Sequence, residues 1–135
     1  MCPRVATLAL CALLSSCTPD PQPLAENQRL LLAGRSFATE ARYAEARSAY
    51  EKALAIDSLD AEVHFELGNL EALLGRLDAA AEAYRAAIIA DPAHNRARHN
   101  LAVTEADRGR LPRAIELLEQ MPNDPPALRT LPLFY

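Results

Sequence analysis

The side chains that most often carry out chemistry are few in this sequence and form no catalytic arrangement. Of the three histidines, His94 and His99 lie five residues apart, which would place them about 140° apart around a helix. There is no His-Glu-x-x-His motif, no cysteine with the spacing of a metal ligand and no glycine-rich phosphate loop. The carboxylate pair Glu62 and Glu66 is typical of a solvated helix face. We therefore expect no enzyme, no metal site and no cofactor.

The composition narrows the possible classes of protein further. The 135 residues include 14 Lys and Arg against 18 Asp and Glu, a formal net charge of −4, which argues against a dedicated nucleic-acid binder. The arginines that follow residue 95 are interspersed with acids and are interpreted as scattered surface charges. Half of the residues are hydrophobic, mostly Ala and Leu, and only four are Gly. This predicts one all-helical domain and argues against a β-sandwich or barrel.

The cysteines point to a different chemistry, at the N-terminus. All three lie within the first 17 residues. Arg4 precedes an apolar run from Val5 to Leu14, which as a helix would be about 15 Å long and too short to cross a bilayer. The run is followed by Leu14-Ser15-Ser16-Cys17.

This segment resembles the lipobox of bacterial lipoproteins. In that motif a signal peptidase needs small side chains before the cut, and only a thiol can form the thioether to a diacylglycerol. The resemblance implies that residues 1–16 are a signal peptide and that Cys17 is lipidated, with the protein attached to a membrane of the cell envelope. Thr18, where a retained inner-membrane lipoprotein often has Asp, favours the outer membrane, facing the periplasm. The alternative is an ordinary secretory signal in which Cys17 is incidental. The proline-rich residues 17–26 would form an extended tether, or the prolines would only delay the first helix.

A 34-residue repeat organises the rest of the chain. Shifting the sequence by 34 aligns Ala46 with Ala80 and Ala114, and it also aligns glycine, arginine, tyrosine and aspartate positions. The period resembles the tetratricopeptide repeat, best in segment 61–94, where Leu67-Gly68 and Gly75 match the family pattern. Segments 27–60 and 95–121 are weaker copies, the last one truncated. The resemblance implies a three-repeat solenoid of antiparallel helix pairs.

Six helices are expected within these segments. Gly75 and Gly109 would supply the backbone freedom of the tight turns, Asp78 would cap its helix, and Pro112 would lie in the first turn of the last one. The expected bounds are 24–40, 44–56, 61–74, 78–90, 95–108 and 112–121. Residues 122–135 are rich in proline and apolar side chains. They are interpreted as a strap over the last helix pair, a docking segment or a disordered tail.

The resemblance also implies a binding surface. Ligands of the family lie in the concave groove that the first helix of each repeat lines. By phase, Phe65 would stand at its centre as an apolar anchor, and Asn69 and Asn100 would hold a peptide backbone, as in proteins with a carboxylate clamp. The lysines of that clamp are missing, which puts an acidic C-terminal ligand in doubt. The predicted groove residues are Arg35, Phe65, Asn69, Arg96, His99 and Asn100.

Two functions remain open at this point. The first is a lipid-anchored adaptor or scaffold that binds a protein or peptide segment of unknown identity in the bacterial envelope and assists assembly of an envelope complex. The second is a structural oligomerisation module whose solenoid ends stack between copies, with no peptide ligand. The membrane would be reached through the N-terminal lipid alone, and no nucleic acid is expected. Neither the partner nor the oligomeric state follows from the sequence.

Overall fold

The computed structural model describes residues 23–122, which contain six α-helices and no strand. The helices are α1 (Pro23–Thr39), α2 (Tyr43–Ile56), α3 (Ala61–Leu73), α4 (Leu77–Ala90), α5 (Asn95–Asp107) and α6 (Leu111–Glu119). They pack as three consecutive pairs, α1 with α2, α3 with α4 and α5 with α6. The predicted all-α solenoid of antiparallel helix pairs is confirmed. No helix within this part of the chain combines the length and apolarity that crossing a bilayer requires.

Small residues allow the two helices of each pair to approach closely. Ala46, Ala80 and Ala114 are almost completely buried, as the repeat phase predicts. Gly68 on α3 lies under the ring of Tyr84 on α4, and Gly34 meets Tyr50 in the same way in the first pair. The absence of a side chain at these glycines therefore provides the space that a buried tyrosine ring fills.

The turns within the pairs use the left-handed backbone region. Gly75 and Gly109 have φ values of 74° and 79°, as predicted for these glycines. The equivalent residue of the first repeat is Ala41, with φ 59°. A residue that has a side chain is strained in this backbone region. Ala41 is therefore less suitable for the first turn than glycine is for the other two. At each turn a backbone bond closes the end of the preceding helix, such as the bond from the Arg76 N–H to the Glu71 carbonyl at 2.9 Å.

The helices α1, α2, α4 and α6 each begin one residue before the predicted start, and one predicted helix cap is wrong. Arg76 is the N-cap residue of α4, and Asp78 lies inside the first turn, so the predicted cap by Asp78 is wrong. Its carboxylate instead pairs with Arg108 at 2.7 Å. Asp60 caps α3 by accepting from the Glu62 and Val63 amides. Pro112 lies in the first turn of α6, as predicted.

The hydrophobic core runs between the helix pairs and joins successive repeats. One cluster contains Tyr84 with Leu101, Leu117 and Leu118, and a second contains Tyr50 with Val63 and Leu70. Two buried carboxylates add polar links. Arg47 on α2 bonds Glu71 on α3, and Arg85 on α4 bonds Glu105 on α5. Each link joins the second helix of one repeat to the first helix of the next.

Several predictions concern residues outside the described range. The signal peptide over residues 1–16, the lipidation of Cys17 and the tail over residues 123–135 all lie there and stay predictions. The tether prediction over residues 17–26 extends too far, because α1 already begins at Pro23. A proline is compatible with the first helical position, since its missing N–H would have no partner in the helix there.

Candidate functional site

The predicted groove face contains a network of charged side chains that joins all three repeats. Glu62 on α3 is its centre. Its carboxylate accepts from the Arg35 guanidinium on α1 at 2.6 Å and from Arg96 on α5 at 2.9 Å. Arg35 also donates to Glu66 at 2.7 Å. Glu62 and Glu66 therefore do not form the solvated acidic face that the sequence suggested, because cations of both neighbouring repeats approach them.

Glu62 titrates differently from an isolated glutamate. Burial acts to raise the pKa of its carboxyl group, but hydrogen bonds from Arg96 and His94 and the charges of Arg96 and Arg35 outweigh that effect. The net result is a lowered pKa, so the carboxylate keeps its charge in mildly acidic solution. The network has two arginines and two glutamates and is close to neutral, which does not favour a strongly acidic ligand.

His94 links this network to the start of α5. Its Nδ1 accepts a hydrogen bond from the Ala97 backbone N–H at 3.1 Å, which caps the helix. In a neutral imidazole the proton then resides on Nε2, which lies 3.2 Å from a Glu62 oxygen and can donate to it. His94 thereby has a structural role on both ring nitrogens. His99, predicted as a groove residue, is half-buried and takes no part in the side-chain hydrogen bonds among residues 23–122.

An amide pair bridges the second and third repeats beside the charged network. Asn69 Oδ1 accepts from Asn100 Nδ2 at 2.9 Å and from the Tyr84 hydroxyl at 2.7 Å. Burial raises the pKa of Tyr84 to about 12, so its hydroxyl remains a donor at neutral pH. Among the described residues, the side-chain Nδ2 of Asn69 and the side-chain Oδ1 of Asn100 have no hydrogen-bond partner. The pair therefore offers one donor and one acceptor to a ligand, and both residues are half-buried.

Phe65 does not occupy the position that the sequence suggested. Only 6% of the residue is exposed, and its ring belongs to the core cluster of the second and third repeats. The Arg96 guanidinium lies 4.7 Å from the ring centroid, and the His94 and Tyr84 rings lie 5.0 and 6.1 Å away. The expectation of an open apolar anchor is thus wrong in this structure, because Arg96 covers the ring on the groove side.

Five of the six predicted groove residues contact one another, either directly or through a shared neighbour. Arg35 and Arg96 meet at Glu62, Arg96 covers Phe65, and Asn69 bonds Asn100. Sequence reasoning missed that Glu62, Glu66 and His94 hold these residues. A detectable signal did exist, because Arg35 and Glu66 are 31 residues apart, as are Asn69 and Asn100. This distance is close to the repeat length, so it marks facing positions on neighbouring first helices.

The three stacked helix pairs, the 34-residue period and the polar groove define a helical-repeat solenoid. The sequence profile described as tetratricopeptide repeat matches residues 31–94 and 74–127, which together cover more than half of the chain. The chain belongs to the tetratricopeptide repeat family. A comparison with curated proteins found no match.

Solved structures show the same fold. MamA is 22% identical with a TM-score of 0.67, and the match covers 68% of this chain but only 54% of that chain. The first tetratricopeptide domain of Spaghetti (RPAP3), bound to the HSP90 peptide SRMEEVD, has a TM-score of 0.73 at 18% identity, over 81% of this chain and 90% of that one. The Yersinia enterocolitica type III secretion chaperone SycD, in complex with a peptide of the translocator YopD, has a TM-score of 0.67 at 19% identity, over 79% and 85%. At these identities the likeness concerns the fold.

Proposed function

We propose that this protein is a lipid-anchored tetratricopeptide adaptor of the bacterial cell envelope, which binds an extended segment of a partner protein along its concave face and assists assembly of an envelope complex. The observation that carries the binding proposal is the Asn69–Asn100 pair. It leaves one side-chain donor and one side-chain acceptor on the groove face, and a peptide backbone offers the complementary acceptor and donor. The anchor and the envelope location rest on the lipobox resemblance at Cys17.

The charges of the groove indicate what kind of segment it would accept. Arg35 is held by two carboxylates, whereas the Arg96 side chain is 66% exposed and shares Glu62 with others. Arg96 is therefore the groove cation that can approach a ligand carboxylate with least disruption. A segment with one acidic residue beside an uncharged stretch suits this surface better than a run of acids, since Glu62 and Glu66 would repel further negative charge.

Structural relatives add support for the binding mode. SycD and the Spaghetti domain were solved with peptides of a translocator and of HSP90. These relatives share the fold of this chain, and their peptide ligands are a precedent for binding an extended segment.

The experiment that tests the function is position-specific capture in the native membrane. A photo-crosslinking amino acid is placed at His99, beside the amide pair in the repeat phase, and the captured protein is identified by mass spectrometry. Asn100→Ala should lower the captured amount of one specific protein by about tenfold, as expected for the loss of a hydrogen-bond pair of about 1.4 kcal/mol.

A matched control separates binding from folding. Glu82 is exposed on α4. Glu82→Ala should change neither capture nor the melting temperature, and Asn100→Ala should lower the melting temperature only slightly. If Asn100→Ala leaves capture at the wild-type level while Glu82→Ala abolishes it, the partner uses the outer face and the groove mechanism fails.

A further inference from the structure

A cavity of about 640 Å³ lies at the edge of the solenoid where the turns of the second and third repeats meet. Its charged lining consists of Arg76, Arg108 and Arg110 with a single acid, Asp78. The whole chain has a formal net charge of −4, so this excess of positive charge is local. The structure thus gathers arginines that the sequence suggested were scattered. The three arginines define the arginine edge.

Two of these arginines are only weakly engaged by the protein itself. The side chains of Arg76 and Arg110 are each 57% exposed, and their nearest carboxylate oxygens, on Glu71 and Glu105, are 3.7 Å away. Within residues 23–122 neither guanidinium group donates a hydrogen bond to a side chain. Each of the two buried carboxylates also binds an arginine of the preceding helix. The exposed guanidinium groups can therefore turn to a ligand without leaving a buried acid unpaired.

The third arginine already holds a carboxylate at this cavity. Arg108 lies 2.7 Å from an oxygen of Asp78, an exposed residue in the first turn of α4. This helix has no side-chain cap at its start, so its first backbone amides add to the positive character of the lining. The cavity therefore takes one carboxylate from its own chain and has two further guanidinium groups for others.

Comparison with the first repeat shows why the other two arginines are free. Arg42 occupies the equivalent position there, but its guanidinium group donates to Glu45 at 3.1 Å and lies 4.6 Å from the ring centroid of Phe37. The position of Glu45 is taken by Ala79 in the second repeat and by Arg113 in the third. The later repeats thus lack the local acid that neutralises this arginine.

Exposed apolar side chains adjoin the arginine edge. Leu73, with 64% of its surface exposed, and Leu74 directly precede Gly75 of the cavity lining. Both positions are polar in the other two repeats. A protein ligand could cover these leucines while its acids pair with the arginines, whereas a free phosphate ion would gain nothing from them. The leucines therefore favour a protein segment as the ligand.

We propose that the arginine edge binds an acidic segment of a partner protein. Two carboxylates of the segment pair with Arg76 and Arg110, and an apolar side chain of the segment covers Leu73. Guanidinium groups suit this role because they form bidentate hydrogen bonds with carboxylates. The inference goes beyond the proposed function, since it uses the turn edge and not the concave groove. The 17-residue helix α1 begins at the opposite edge, about 25 Å away, so a tether before α1 leaves this edge accessible.

The test measures binding of a defined acidic peptide to the full chain. The probe is Glu-Leu-Glu-Ala-Glu-Leu with an uncharged dye, followed by fluorescence anisotropy at low ionic strength, where charges are least screened. Arg76→Gln and Arg110→Gln should each weaken binding by roughly fivefold, and the double variant by roughly 25-fold if the two contacts are independent. Because both side chains are exposed, the helical circular dichroism signal should be retained.

Three further variants separate this surface from general charge effects. Arg42→Gln makes the same change at the equivalent position outside the cavity and should bind as the wild type does. Arg96→Gln, in the groove, should also leave binding of this peptide unchanged, so a failure of the groove proposal is measured separately. Asp78→Asn should strengthen binding by roughly threefold, because it frees Arg108 from its internal partner.

The leucines and the competing anion decide the kind of ligand. Leu73→Ser should weaken binding of the peptide by roughly threefold, because it removes apolar surface that the peptide buries. Displacement of the peptide by inorganic phosphate at constant ionic strength would show a phosphate site and overturn the proposal. So would equal losses for Arg42→Gln and Arg110→Gln, or equal binding of a peptide with Gln in place of every Glu.

Discussion

Gly68 lies so close to Tyr84 that a Cβ atom on it would be 2.6 Å from the tyrosine Cε1. The third repeat has Ala102 at the glycine position and Leu118 at the tyrosine position, and both are buried. The two positions thus change together, with a larger residue on one helix accompanied by a smaller one on the other. The pair behaves as one packing unit.

Gly68→Ala should destabilise the fold by about 1–3 kcal/mol, because the added methyl group forces the Tyr84 ring or a helix to move. Adding Tyr84→Leu should recover part of this loss, since that combination reproduces the Ala102–Leu118 unit. Chemical denaturation of the two single variants and the double variant measures the coupling. Additive effects would show that the ring is not what excludes the methyl group.

Gly75→Ala provides the contrast to this prediction. No atom lies within 4 Å of a Cβ built on Gly75, but its φ of 74° is unfavourable for alanine. The expected loss is about 1–2 kcal/mol of backbone strain. Tyr84→Leu should not relieve it, because no side chain causes it.

Ala41 is the position at which a single substitution should stabilise the protein. Its φ of 59° matches the turn glycines of the other repeats. Ala41→Gly should raise the free energy of unfolding by about 0.5–1 kcal/mol. The substitution relieves backbone strain, but part of this gain is lost because glycine has more conformational entropy in the unfolded chain. Ala41→Val should lower it, because a β-branched residue tolerates this region least. Thermal melting of both variants checks the prediction, and a lower melting temperature for Ala41→Gly would contradict it.

Phe65→Ala should destabilise the domain by about 3–5 kcal/mol, the usual cost of removing a buried phenylalanine ring. The sequence alone suggested a smaller effect on folding, since it placed this ring in the open groove. Urea denaturation decides between these expectations. Glu82→Ala, at an exposed position, should stay within about 0.5 kcal/mol of wild type. A similarly small change for Phe65→Ala would show that the ring is not part of the core.

Glu62 should make stability depend on pH in acid. Its pKa is lowered in the folded protein, so the folded state binds the proton less readily than the unfolded state does. The resulting stabilisation is complete above the unfolded value of about 4.3 and is lost as the pH falls through the lower folded value. Glu62→Gln should therefore be less stable than wild type at neutral pH, with a difference that shrinks in this acidic range. A constant difference at all pH values would contradict the prediction.

Cys17→Ser should abolish lipidation, because serine cannot form the thioether. Intact mass and detergent partitioning of wild type and variant measure this. Wild-type protein should carry an acyl mass increment and enter the detergent phase, and the variant should do neither. A wild-type chain without that increment would remove the basis for the membrane anchor.

The sequence predicted the helices well because their signals are local and repeated. Gly75 and Gly109 mark turns by their own conformational preference, and the buried alanines recur in phase. The site was harder to predict, since its state depends on which neighbour reaches which residue. Phe65 has the same helical phase as an exposed groove residue, and it is buried because Arg96, His94 and Tyr84 all approach its ring. Asp78 was mistaken for a cap because a shift of two residues at a helix start is beyond what sequence resolves.

The contacts between neighbouring first helices differ in chemistry, since Arg35 pairs with Glu66 and Asn69 pairs with Asn100. This difference also affects how the chain avoids misfolding. Tandem repeats of similar sequence can assemble in the wrong order, with one repeat skipped or exchanged between molecules. If the first repeat packed directly on the third, Arg35 would face Asn100, while Glu66 would lose its cation and Asn69 its amide partner. The facing pair on neighbouring first helices thus favours the correct order of the repeats. The residues that set this order are different from the alanines, glycines and tyrosines that pack the two helices of each repeat.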